Sequence, residues 1–335
     1  MFGRRSSLLS PLLVFAGALA VGVSLAQSQV PGSAPPEPAL PTATLRVGVT
    51  MVTVGVRVTD RRGREVRGLK GEDFTIFEDD IPQKLSFFSE EEQPISMAIL
   101  LDHSGSMEEG DKLAHAKMAA IHLARSGHRE NEFLFVPFDH RVEAGDEFTS
   151  ERKKIEMAII ATGLGGGTSL YDATLTTLER FSKARHPRQA LVVISDGADE
   201  HSLRNLADLI RGVQASQVQL FLIGYFSQRE GTLFRRSPDT FVITDGVTSK
   251  MVDNPWVVFR RLAGETGAAA FFPQTDDELK GAAEAITEDL KHQYTIAYYP
   301  SGATPQEKYR SIQVKVRGRG LRVRARQGYR PTSIP

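Results

Sequence analysis

The chain has 335 residues, enough for two domains, and 41% of them are hydrophobic, which permits a substantial core. It carries 41 basic and 41 acidic residues, so no net charge directs it to nucleic acid or to a membrane surface. Cysteine is absent, which excludes disulfides and a lipid-anchoring cysteine.

The N-terminal segment 1–26 has the three parts of a secretory signal. Two arginines precede an apolar stretch, and small residues come before a cleavage position at Gln27. We therefore expect export to the periplasm, the cell envelope or the extracellular space. An uncleaved signal anchor is the alternative, and it is the one expected link to a membrane. Residues 27–43 are rich in Pro, Ala and Ser and are predicted to form a disordered linker.

Residues 44–93 are predicted to form an N-terminal β module. Apolar residues alternate over 45–58, with a change of phase partway that indicates a bulge or two strand halves. Two further alternating runs, 74–76 and 85–87, flank a turn at 79–82, and this pattern predicts a hairpin.

Residues 94–292 alternate between apolar strands and amphipathic helices. This pattern predicts an α/β fold with a doubly wound, mostly parallel five- or six-stranded sheet flanked by helices. Segment 227–254 lacks clean periodicity and is expected to be a surface insertion, with 241–244 as the candidate sixth strand at the sheet edge. The predicted strands are 95–101, 133–138, 190–194, 218–225 and 268–272, and the predicted helices are 112–126, 151–161, 170–181, 202–215, 257–266 and 276–291.

The C-terminal segment 293–335 returns to a strand pattern. Apolar residues alternate in 312–316 and again in 321–325, and glycines between them predict a hairpin. A lone hairpin is only marginally stable. We therefore expect this segment to pair with residues 44–93 in a small β-sandwich, with the α/β domain inserted between the two parts.

Oxygen-bearing side chains follow two of the predicted buried strands. Asp102, Ser104 and Ser106 come at alternate positions after strand 95–101, and Asp196 follows strand 190–194. Ligands of open α/β sheets bind at the carboxyl ends of the strands. Thr168 follows a run of glycines that permits a tight turn. Carboxylates and hydroxyls without matching Cys or His favour a hard divalent cation over zinc.

These residues form three motifs in chain order: Asp102 with Ser104 and Ser106, then Thr168, then Asp196. In this order they resemble the metal-ion-dependent adhesion site of the von Willebrand factor type A domain. The resemblance covers residues 94–292. The whole layout, with a β module before and a basic strand pair after, resembles a bacterial family described as VWFA-related and abundant in Acidobacteria.

The resemblance implies a role for each residue. Ser104 and Ser106 are expected to coordinate the ion directly, Thr168 directly or through water, and Asp102 and Asp196 largely through water. Mg²⁺ is the expected ion, with Mn²⁺ and Ca²⁺ as alternatives. The ion is left short of full charge compensation, so an Asp or Glu carboxylate of a protein partner is expected to bind it.

The sequence therefore predicts an exported, metal-dependent protein-binding module of the adhesion type. The alternative is a structural subunit of a cell-envelope assembly in which the ion is purely architectural. Glycines at 163–167 do not form a nucleotide-binding loop, because a helix precedes them and no Gly-Lys-Ser/Thr follows. His103 beside Ser104 lacks the G-x-S-x-G elbow of a hydrolase. No enzymatic activity and no nucleic-acid partner are expected.

Overall fold

The structure is a computed structural model, and it describes residues 51–142, 147–244, 249–301 and 308–331. The predicted signal segment, the linker and the first half of the strand pattern at 45–58 lie outside these ranges. None of the helices in the described ranges is both long and apolar enough to cross a bilayer.

The described part of the chain contains fifteen strands and seven α-helices. The strands are β1 (Val52–Thr59), β2 (Phe74–Glu78), β3 (Ile81–Gln83), β4 (Leu85–Ser89), β5 (Ile95–Asp102), β6 (Glu132–Phe138), β7 (Arg188–Ser195), β8 (Gln219–Gly224), β9 (Thr240–Thr244), β10 (Ser249–Asp253), β11 (Ala270–Phe271), β12 (Tyr294–Tyr298), β13 (Arg310–Val316), β14 (Arg322–Arg324) and β15 (Gly328–Tyr329). The helices are α1 (Lys112–Arg125), α2 (Arg152–Ala161), α3 (Leu170–Arg180), α4 (Leu206–Ala215), α5 (Gln228–Arg236), α6 (Pro255–Thr266) and α7 (Asp276–Lys291).

The central sheet has five parallel strands in the order β11-β8-β7-β5-β6. All eight residues of β5 are buried, as a strand covered on both faces requires. Helices α1, α2 and α7 pack on one face, and α3, α4 and α6 pack on the other. The prediction of a doubly wound α/β sheet is confirmed, and the sheet has five strands.

The strand order reverses between β5 and β7. The chain moves from β5 outward to β6 and then returns to the other side of β5 to form β7. Connections that leave these two neighbouring strands run to opposite faces of the sheet, so a crevice opens at their carboxyl ends. Open α/β sheets bind their ligands at this point.

Eight of the other described strands form a β-sandwich. One sheet has the order β14-β1-β12-β4 and the other has the order β15-β13-β2-β3. Their facing side chains share one apolar core, in which Val54, Ile76 and Ile296 are fully buried. The α/β part of the chain lies between β4 and β12, so N- and C-terminal segments together complete the sandwich.

Two hairpin predictions in the sandwich were partly or wholly wrong. β13 pairs with β2 and β15, whereas β14 pairs with β1 in the other sheet. β13 and β14 each have one apolar face. In the two facing sheets of the sandwich both of these faces turn to the shared core, whereas in a lone hairpin they would be exposed to solvent. Similarly, β2 pairs with β3 around Asp79 and Asp80, which have φ of 47° and 64°, but β4 crosses to the other sheet.

Two predictions within the α/β part also need correction. Segment 227–254 contains α5 and a two-stranded sheet of β9 and β10, so residues 241–244 do not extend the central sheet. The predicted helix 202–215 begins at Leu206, because the Asn205 side chain accepts a hydrogen bond from the backbone of Asp208. Leu203, which lies inside the predicted helix, precedes the observed one and is 97% exposed.

Candidate metal centre

Asp102 and Asp196 meet at the carboxyl edge of the sheet, at the reversal point. Asp102 is the last residue of β5, and Asp196 follows the last residue of β7. Both are buried, with 0% and 2% of their surface exposed. Ser195 Oγ donates a hydrogen bond of 2.5 Å to Asp102 Oδ2, so the two strand ends are tied together through this serine.

The loop after β5 carries the two predicted serine ligands. The backbone N–H of Ser104 donates to Asp102 Oδ1 at 2.9 Å, which turns the chain back over the strand end. Ser104 Oγ lies 3.1 Å from Ser106 Oγ, and Ser106 Oγ donates to Asp196 Oδ1 at 2.8 Å. Three of the five predicted oxygens therefore form one continuous hydrogen-bonded row.

The glycine loop (residues 163–167) is hydrogen-bonded directly to the serine loop (residues 103–106). Gly105 N–H donates to Gly166 O, and Gly165 N–H donates to His103 O, each at 2.7 Å. A side-chain carbon on Gly165 would lie 2.6 Å from Asp139 Oδ2 and 2.8 Å from His103 Nδ1. The close approach of the two loops thus requires glycine at position 165.

Thr168 lies at the end of the glycine loop and is 5% exposed. Its carbonyl accepts hydrogen bonds from the backbone of Glu200 at 3.1 Å and of His201 at 2.9 Å. A side-chain carbon on Gly197 would lie 3.6 Å from Thr168 Oγ1. The threonine hydroxyl is therefore held beside the residue that follows Asp196.

Lys112 is part of this cluster, and sequence analysis missed it. It is the first residue of α1, yet it is only 5% exposed, and its Nζ donates to Asp196 Oδ2 at 2.7 Å. Glu230 of α5 and Glu109 lie 3.4 Å and 3.5 Å from the same nitrogen. A lysine at the start of a helix gives no sequence signal for burial, and only the packing of α1 against the end of β7 reveals it.

Burial controls the electrostatics of the cluster. Burial and the charge of Asp196 raise the pKa of Asp102 to about 7, although hydrogen bonds from Ser195 and Ser104 oppose the shift. Burial also raises the pKa of Asp196, against the opposing effect of Lys112. For Lys112, burial is the largest single effect and lowers the pKa, but the charge and hydrogen bond of Asp196 together with the charges of Glu230 and Glu109 outweigh it, so the pKa is raised. The ammonium group is therefore charged at neutral pH.

The five predicted ligand residues suit a hard cation. All of their side-chain ligand atoms are oxygens, which Mg²⁺ and Ca²⁺ prefer. Neighbouring ligands of an octahedral Mg²⁺ lie about 3 Å apart, and the two serine hydroxyls expected to bind it directly, Ser104 Oγ and Ser106 Oγ, lie 3.1 Å apart. Within the described ranges, no group of three or more His, Cys, Asp or Glu side chains is placed to hold a metal. A metal here would depend on hydroxyl ligands.

The chain is similar over part or most of its length to several known proteins. An uncharacterized protein of Synechocystis sp. is 29% identical over 111 residues, which are 32% of this chain and 26% of that protein, so the match spans about a quarter of the relative's length. A solved structure of a von Willebrand factor type A protein from Catenulispora acidiphila is similar, with 13% identity, a TM-score of 0.46 and coverage of 84% of this chain and 75% of that one.

A second solved structure, an aerotolerance-related membrane protein from Bacteroides fragilis, is 17% identical with a TM-score of 0.44, covering 58% of this chain and 98% of that one. Residues 97–198 match the family described as the von Willebrand factor type A domain. This segment runs from β5 to just past β7 and includes all five predicted ligands. Residues 97–198 are therefore similar to a von Willebrand factor type A domain, and they include three of the five strands of the parallel sheet.

Proposed function

We propose that this chain is an exported protein-binding module that recognises an acidic residue of its partner through a divalent cation. Mg²⁺ is the proposed ion, held by Ser104, Ser106 and Thr168 with Asp102 and Asp196 behind them. One observation carries the proposal: the hydroxyls of Ser104 and Ser106 and a carboxylate oxygen of Asp196 lie in one hydrogen-bonded row at the crevice of the sheet.

The chemistry of the row favours binding over an architectural role. Ser106 is solvent-exposed, whereas Ser104 and Asp196 are buried. An ion held by this row would therefore keep one side open to solvent. Mg²⁺ retains water in such positions, and a carboxylate can replace that water. Hydroxyl ligands carry no charge, so they leave the ion able to attract an anion.

The proposed metal site can be tested through stability. Mg²⁺ is expected to raise the melting temperature of the wild type, because a ligand that binds only the folded state stabilises it. Ser106→Ala removes an exposed hydroxyl from the row and should abolish most of this rise while leaving the metal-free melting temperature almost unchanged. Differential scanning calorimetry with Mg²⁺ and with EDTA measures both quantities.

Ser150→Ala is the matched control, since Ser150 is also an exposed loop serine. It should keep the full response to Mg²⁺. An equal response in Ser106→Ala, Asp196→Asn and the wild type would contradict the site assignment. The partner's role is tested separately by affinity capture from an envelope extract with Mg²⁺ and with EDTA, and capture that is unaffected by EDTA would favour the architectural alternative.

A further inference from the structure

Lys112 is a buried cation placed against the proposed metal site. Lysine is almost never buried unless it is paired, and here the pairing oxygen belongs to Asp196, at 2.7 Å. The side chain of Lys112 is 7% exposed and that of Asp196 is 0% exposed, so water screens this pair weakly. The two acidic groups that also approach Lys112, Glu230 and Glu109, have side chains that are 36% and 69% exposed.

The position of Lys112 is enforced by the chain before it. Gly110 and Asp111 have φ of 61° and 58°, both in the left-handed region, and this turn starts α1 with Lys112 as its first residue. Glu230, on the other side, is fixed by its own hydrogen bonds from Ser227 N–H and Oγ at 2.9 Å and 2.8 Å. The ammonium group is therefore held between the sheet edge and α5 and cannot swing freely into solvent.

The charge balance of the site follows from this placement. The carboxylates of Asp102 and Asp196 together match the charge of a divalent ion, and the ammonium of Lys112 adds one buried positive charge that only the more exposed Glu230 and Glu109 offset. Removing that ammonium takes one positive charge away from the surroundings of the ion, which lowers its attraction for an anion. Like charges at short range repel strongly where water is excluded.

We infer that Lys112 sets the ligand preference of the site: it weakens binding of the divalent ion and strengthens binding of a carboxylate to the ion once it is bound. This inference rests on the proposed function, because it concerns the same ion. It predicts opposite changes in two affinities when the charge of Lys112 is removed. A lysine that merely supports the fold would lower both.

The test uses the full chain with Mn²⁺ and acetate as probes. Mn²⁺ affinity is read from the electron paramagnetic resonance of free Mn²⁺, and acetate affinity of the Mn²⁺-loaded protein from water-proton relaxation. Lys112→Met and Lys112→Gln should each bind Mn²⁺ about tenfold more tightly and acetate about tenfold more weakly than the wild type. The glutamine variant keeps a hydrogen-bond donor for Asp196, so it separates charge from hydrogen bonding.

Lys280→Met is the control, since Lys280 is an exposed lysine on α7. It should match the wild type in both affinities. The inference is overturned if both affinities fall together in the Lys112 variants, if neither changes, or if Lys112→Gln behaves as the wild type. A wild type that binds no Mn²⁺ would instead overturn the proposed function itself.

Discussion

At the scale of single residues, Asp102 shows how the fold changes the chemistry of a side chain. It is 0% exposed, and burial beside Asp196 raises its pKa to about 7 from the ordinary 3.8. Between these two values the folded protein holds a proton that the unfolded chain releases. Protonation of Asp102 therefore stabilises the metal-free fold as pH falls through 7, and the gain levels off once the unfolded chain is protonated as well.

This linkage predicts a pH-dependent difference between the wild type and Asp102→Asn. In EDTA, the unfolding free energy of the wild type relative to the variant should rise by about 1–3 kcal/mol from about pH 8 to about pH 5, because asparagine cannot take up the proton. Urea denaturation of both proteins at the two pH values measures it. A difference that stays constant with pH would show that Asp102 does not titrate in this range.

At the scale of secondary-structure elements, the apolar runs in the sequence were sufficient to place the strands of the central sheet. The run 95–101 predicted β5, and the end of that run placed Asp102 at the carboxyl edge. The first residues of helices were predicted less accurately than the strands. The start of α4 depends on the capping side chain of Asn205, which the apolar periodicity of the helix does not register.

The glycine loop gives a second prediction. Gly165→Ala should lower the unfolding free energy by about 1–3 kcal/mol, because its added carbon would overlap Asp139 Oδ2 and the buried ring of His103. Gly163→Ala is the matched control in the same loop, since nothing lies within 4 Å of the added carbon. Chemical denaturation of the two variants compares them, and equal stability would mean that the two loops are not closely packed.

At the scale of the whole molecule, the β-sandwich and the α/β domain are joined by a buried ionic contact. Asp289 of α7 is 0% exposed, and its Oδ2 lies 3.1 Å from Arg57 Nη1 and also accepts a hydrogen bond from Arg324. The two arginines are paired across β1 and β14 of the sandwich. Gln293 Nε2 donates to Asp289 Oδ1 at 2.9 Å, so both carboxylate oxygens are bonded.

Asp289→Ala should therefore destabilise the protein by about 1–3 kcal/mol, because Arg57 and Arg324 lose their buried partner, although both are partly exposed and Arg57 keeps its ion pair with Glu65. Glu284→Ala on the same helix is the control. Its ion pair with Lys280 is exposed and 3.9 Å long, so its loss should cost less than about 1 kcal/mol. The unfolding free energies of both variants test this, and a small effect of Asp289→Ala would mean that the contact contributes little to the junction.

Sequence patterns were enough to predict the α/β fold, the sheet edge at which Asp102 and Asp196 lie and a sandwich built from both ends of the chain. These follow from local signals, since apolar periodicity and strand ends are written in consecutive residues. Three features are visible only in the folded structure: β13 and β14 belong to different sheets, Lys112 is buried against Asp196, and Asp289 joins the sandwich to the α/β part. Such pairings depend on which distant segments of the chain pack against each other. The residues next to a lysine or an aspartate in the sequence do not show whether its side chain faces solvent or an opposite charge.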